Sequence, residues 1–223
     1  MTRDYRLLIG ACGWLHEGWY ADFYPQDLPA DWQLSYYANE FPVVLVTTQE
    51  WDLTEADAKR WCEDTDSSFH FVVEITANSP EVIEHQLDKI TGFGARCAGL
   101  LLRINSDIGI TAIKALLDVF NDARPICLDF GDDNAPADGV QSLLRERQIG
   151  WCWHGDGSAA GLALGPLAVT RIRSYQTGPR QIRQWVETAL RNSTEHRQSI
   201  LLFEGEPPDI AAIRQAQIIL DLL

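Results

Sequence analysis

The side chains best suited to chemistry in this chain stand at the ends of apolar runs. Glu74 ends FHFVVE, Arg103 ends CAGLLLR, Asp129 ends PICLD, His154 ends IGWCWH and Glu204 ends SILLFE, while Arg171 and Arg173 close LAVTRIR. If each run is a strand, residues two apart share a face. Sending the large apolar residues Leu100, Leu102 and Ile104 outward turns Leu101, Arg103 and Asn105 inward. The same alternation turns Glu74, Asp129, Arg171, Arg173 and Glu204 inward, and His154 with them if Trp151 and Trp153 face outward.

Three chemistries are open to such a cluster. One is a structural ion network, because a buried charge is costly unless it is paired. The second is an anion pocket, in which Arg103, Arg171 and Arg173 grip a phosphate or carboxylate with paired N–H donors and Glu74 and Asp129 are the candidate catalytic bases. The third is a divalent metal held by Glu74, Asp129, His154, Asp156 and Glu204, activating water for hydrolysis or nuclease-like chemistry. Three arginines in the same mouth repel a cation, and the carboxylates lack short ligand spacing, so no metal site is expected.

Residues 7–25, LLIGACGWLHEGWYADFYP, are the other chemically suggestive stretch. Trp14 and Trp19 are expected to flank a planar ligand by stacking, whereas Phe23-Tyr24-Pro25 leads into the helix at 32–39 and reads as packing. His16 beside Glu17 could serve as an acid–base pair on a first loop, or be a solvated pair. Cys12 has no histidine at a recognisable spacing and reads as a small buried residue, not a nucleophile.

Eight runs can position these side chains: 6–12, 43–48, 69–76, 97–104, 125–130, 149–154, 167–173 and 199–204. Most are continuously apolar, as strands covered on both faces of a parallel sheet should be. Between them the period changes to 3.6. Ile182, Trp185, Val186, Ala189 and Leu190 share a helical face, as do Ile113, Leu116, Leu117 and Phe120. Val82, Ile83, Gln86, Leu87 and Ile90 make a third face after the start signal Ser79-Pro80, Val140, Leu143 and Leu144 a fourth, and Ile210, Ile213 and Leu222 the last.

Strands and helices alternating in this way over one uninterrupted domain, 1–223, predict an α/β fold, a single (β/α)8 TIM-like barrel. Its active face would be the C-terminal ends of the strands, where the charged residues fall. A doubly wound open sheet would want a glycine-rich phosphate loop after the first strand, and GACGW is not one. Between His154 and Leu167 stands only GDGSAAGLALGP, so the helix between strands 6 and 7 is expected to be short or missing. That would open the outer wall around 159–166 to a partner chain.

The 223 residues carry 18 Lys and Arg against 32 Asp and Glu, a net charge of −14. Such a charge disfavours general nucleic-acid binding. No apolar run approaches the roughly 20 residues of a membrane span, and the N-terminus does not read as a signal peptide. Five widely spaced cysteines without a CxxC pair read as reduced thiols. The expected setting is therefore cytoplasmic, with no membrane partner and no cofactor.

IGACGW followed by GWYADFYP resembles the opening signature of the YecE-like proteins, whose usual form is Ile-Gly-x-Ser-Gly-Trp, then Trp and Phe-Tyr-Pro. LSYYANEFPVVLVTTQEW and WCEDTDSSFHFVVE are similar to the family's next two segments, and CAGLLLRIN, ICLDFGDD, VTRIRS and ILLFEGEPP to its later strands. The resemblance spans nearly the whole chain and implies a TIM-like barrel, but no activity, because none is established for the family. This chain departs from the pattern at Leu45, where the family has Glu, and at Thr47-Thr48-Gln49, where it has Asn-Ser-Thr. Asp129-Phe130-Gly131-Asp132 replaces Glu-Phe-Arg-His, Arg171-Ile172-Arg173-Ser174 replaces Arg-Leu-His-Gly, and Glu204-Gly205-Glu206 replaces Asn-Asn-Asp. The resulting expectation is a divergent barrel that takes a small anionic or phosphate-bearing ligand at its mouth, or one that has kept the barrel as a non-catalytic binding or scaffold module.

Overall fold

The computed structural model describes residues 7–20, 22–47, 50, 54–76, 79–105, 108–120, 124–131, 135–173 and 178–223. Thr48, Gln49, Asp132 and Ser174 lie outside the described residues. Eight parallel strands form the barrel: β1 (Leu7–Cys12), β2 (Val43–Val46), β3 (His70–Thr76), β4 (Cys97–Arg103), β5 (Ile126–Asp129), β6 (Gly150–Trp151), β7 (Leu167–Arg173) and β8 (Gln198–Glu204). They run β6-β5-β4-β3-β2-β1-β8-β7, and the ring closes between β6 and β7 through Trp153. Its N–H donates to the Val169 carbonyl at 3.1 Å, and its carbonyl accepts from the Arg171 N–H at 2.9 Å.

Seven α-helices surround the ring among the described residues: α1 (Ala30–Ala38), α2 (Glu55–Glu63), α3 (Pro80–Ile90), α4 (Ile110–Leu117), α5 (Asp138–Arg147), α6 (Pro179–Arg191) and α7 (Ile210–Asp221). Side chains at their N-termini satisfy orphan N–H groups. Thr54 forms a capping box with Asp57, Ser79 accepts from Val82, and Asp209 accepts from Ala212. The helical periods read from the sequence mark the buried faces, with two exceptions: Val82 is 39% exposed and Leu222 80% exposed. Both sit at the end of their pattern, where a helix has turned away from the barrel.

The core has the two layers that strand alternation demands. Inside the ring, Leu8, Cys12, Val43, Leu45, Val72, Leu101, Cys127, Cys152, Val169 and Leu202 fill the barrel. Outside it, Leu100, Leu102, Ile104, Trp151 and Trp153 pack under the helices. The helix expected to be short or missing after β6 is replaced by a single 3-10 turn, Ala160–Ala163. The turn is packed on the barrel, with Ala160, Ala163 and Pro166 left exposed. Leu162 is fully buried, and Arg197 ties the turn down by donating to the carbonyls of Ala163 and Gly165 at 2.5 and 2.8 Å.

Candidate functional site

Because β3, β5, β7 and β8 each carry an inward charged residue in their last three positions, four charges meet at the C-terminal mouth. Arg171 is their centre. Its Nη1 donates to Glu74 Oε2 at 2.7 Å and Asp129 Oδ2 at 3.1 Å, while Nε and Nη2 form a fork on Glu204 at 3.1 and 3.0 Å. The Arg171 side chain is 6% exposed, and those of Glu74 and Asp129 are 1% and 3%. Burial alone would raise the Asp129 pKa. The His154 hydrogen bond at 2.9 Å, the Arg171 charge and the Gly131 N–H outweigh it, and hold the carboxyl well below its usual range.

Above this floor opens a cavity of about 540 Å³, whose lining interleaves Arg103, Arg171 and Arg173 with Glu50, Glu74, Glu204 and Glu206. Arg103 and Arg173 are half-exposed, at 48% and 45%. Arg173 Nε donates to Glu204 at 3.1 Å, and Arg103 approaches Glu74 only to 3.8 Å. On the β1 side the wall is Cys12, Gly13, His16, Thr47 and Glu50. The chain turns tightly after β2, with the Glu50 N–H donating to the Thr47 carbonyl. This brings Glu50 Oε2 within 2.7 Å of the Thr47 N–H and onto the Thr47 hydroxyl.

Gly13 has the left-handed φ of 73° and lets Glu50 and His16 pack close to the backbone here. A Cβ on it would stand 3.1 Å from Glu50 Oε1 and 3.2 Å from His16 Nε2. Burial raises the Glu50 pKa; the Thr47 hydrogen bonds partly oppose this, and the Glu74 charge adds to it. His16 Nε2–H donates to the Cys12 carbonyl at 2.9 Å, and burial lowers the His16 pKa, which fixes the neutral tautomer.

The strand-end residues Glu74, Asp129, His154, Arg171 and Glu204 therefore come together as alternation predicts, with Arg103 and Arg173 at the rim. Trp14 and Trp19, expected to flank a ligand at this mouth, do not line it. Both are 2% exposed and lie in the outer core. Trp14 packs edge-on against Trp61 at 4.6 Å, and Trp19 stacks on Tyr37 and donates Nε1–H to the Pro208 carbonyl at 2.8 Å. The aromatic loop is a nail through the helical layer, and burying such rings outweighs presenting them to water.

Glu17 is exposed, so the pair with His16 does not form a dyad in the cavity. Cys12 is buried, and loss of solvation pushes its thiol up to about 12, as expected of a packing residue. Asp129, Cys152 and His154 bring one ligand atom each within 4.8 Å of one another, but Arg171 sits 3.1 Å from Asp129 and already holds the Glu74 and Glu204 carboxylates. Asp156, the remaining residue of the metal reading, is exposed. A cation there would lie close to the Arg171 guanidinium and be repelled by it. Glu50 was not legible as a site residue. It belongs to no strand, and only the turn back onto Thr47 brings it into the mouth.

Residues 8–223 match the family described as "Protein of unknown function DUF72". No curated protein matches. Among solved structures, phosphoribosyl anthranilate isomerase from Thermotoga maritima is similar at 12% identity and a TM-score of 0.51, with 98% of this chain and 99% of that chain covered. A dihydrodipicolinate synthase from Rhodopseudomonas palustris is similar at 12% identity and a TM-score of 0.43, over 86% of this chain and 69% of that one. At these identities the likeness is one of barrel fold alone.

Proposed function

The chain belongs to the DUF72 family of proteins of unknown function, and since membership brings no activity with it, we propose from the mouth itself that the protein binds a small anion, a phosphate ester or carboxylate bearing hydroxyls. The observation that carries this reading is the division of labour among the arginines. Arg171 neutralises the floor with all its forked donors on carboxylates, whereas Arg103 and Arg173 stand half-exposed over the same cavity. A guanidinium offers an anion two parallel N–H groups, and the low-dielectric wall strengthens that contact. Glu204 and Glu206 then face the ligand's hydroxyls as acceptors.

The test is calorimetric titration with inorganic phosphate and with a panel of sugar phosphates. Binding is expected, with Arg103→Ala and Arg173→Ala each weakening it by about tenfold, the loss of one charge-assisted bond. Arg171→Met is expected to act differently, lowering stability by about 3–5 kcal/mol because it strands buried carboxylates. No binding, or binding indifferent to both rim substitutions, would leave the barrel as a module whose charges serve only the fold. The saturation of Arg171 is the observation that favours that second reading.

A further inference from the structure

We propose that Glu50 is the acid–base residue of the mouth, moving a proton to and from a carbon next to the carbonyl of a bound sugar phosphate. The inference rests on the anion-binding reading above and adds a reaction to it.

The geometry of the cavity leaves few other chemistries. The Cys12 thiol is buried and stays protonated, so it offers no nucleophile. His16 has its Nε2–H on the Cys12 carbonyl and so is not placed to donate that proton to a ligand, and Glu74 and Glu204 are each held by guanidinium groups. Glu50 is placed otherwise. One oxygen, Oε2, is anchored by two donors from Thr47, which fixes the plane of the carboxyl. The other, Oε1, lies beside Gly13, in the wall of the cavity that both residues line. The groups around it are the Thr47 donors, neutral His16 and the carboxylate of Glu74, with no cation bonded to it among the described residues. Such surroundings favour the protonated carboxyl and bring its pKa toward the range in which a base both accepts and returns a proton. Arg103 and Arg173, which line the same cavity, supply positive charge for an oxyanion developing on the ligand.

The step balances without a further reactant. The C–H bond beside the carbonyl breaks, its proton passes to Glu50 Oε1, and the electron pair moves into the carbonyl to give an enediolate. In deuterium oxide the proton on Glu50 is replaced by deuterium from solvent: return to the same carbon gives exchange, and return to the neighbouring carbon, with the hydroxyl proton passing from one oxygen of the enediolate to the other, gives the isomeric sugar phosphate, with Glu50 restored in either case.

The probes are ribulose 5-phosphate, ribose 5-phosphate, fructose 6-phosphate and glucose 6-phosphate in deuterium oxide, with carbon-bound protons followed by NMR and binding by calorimetry. Wild type is expected to exchange a proton of at least one probe. Glu50→Gln keeps the Thr47 anchor and should bind that probe within about threefold of wild type, while exchange falls by 100-fold or more, the scale of a lost general base. A wild type that binds a probe without exchanging it, or exchange that survives in Glu50→Gln, overturns this proposal and leaves the binding reading standing. Failure to bind any probe overturns both.

Discussion

Asp129 and Glu50 are two carboxyls of one mouth whose environments push in opposite directions, and their contributions to stability should separate with pH. Asp129 is held below its ordinary value of 3.8 by His154, Arg171 and the Gly131 N–H. A carboxyl depressed in the fold stabilises it above the unfolded value, and that contribution is lost as pH falls from there through the folded value. Glu50 is raised above 4.5, so its ionised form is the one the fold disfavours. Its contribution is present below the unfolded value and lost as pH rises through the folded one. Glu50→Gln is therefore expected to be more stable than wild type at neutral pH, with the gain vanishing near pH 4. Asp129→Asn is expected to be less stable at neutral pH, its deficit shrinking in acid. Urea titrations across that range check both, and parallel curves for the two variants would contradict the assignments. The sequence exposed Asp129 through its place at a strand end. Nothing comparable marked Glu50, whose role depends on a turn that no period or motif announces.

At the scale of elements, the alternation of apolar and polar residues was enough to place strands, inner and outer faces and the ring of charges. It could not say which side of a loop an indole would take, and Trp14 and Trp19 took the inner packing side. Nor could it show how β1 is joined to β2. The first paired residues there are Ala11 with Val44, and the junction below is spliced by a side chain. The Tyr37 hydroxyl, carried by α1, accepts from the Ala11 N–H at 2.7 Å and donates to the Val43 carbonyl at 2.9 Å, fully buried. Gly10 makes room, since a Cβ there would lie 1.9 Å from the Val43 carbonyl oxygen. Tyr37→Phe leaves both backbone groups without a partner in a dry core. At about 1–3 kcal/mol for each unsatisfied group, the expected loss is roughly 2–6 kcal/mol in denaturant unfolding. A loss under about 0.5 kcal/mol would show that the splice is not needed.

Taken as a whole, the barrel is unevenly sewn. β3 and β4 pair from Phe71 to Thr76 and β7 and β8 from Leu167 to Arg173, whereas among the described residues the β6 segment is bridged to β7 by one isolated pairing, Trp153 with Thr170. The turn that stands in for a helix lies over that same junction. Opening of the ring should begin there, in the least bonded segment. The barrel interior also holds Cys12, Cys127 and Cys152, all reduced and all with thiols raised by burial. Alkylating reagents attack the exposed thiolate, so none of the three should react while the ring is closed. Cys152 adjoins the junction, and mass spectrometry of iodoacetamide-treated protein should find it modified before Cys12 and Cys127. Simultaneous modification of all three would mean that the ring opens only by global unfolding. Residues that serve merely as filler for the barrel thus make it self-reporting: the order in which three sulfurs become alkylated is a record of how the cylinder comes apart.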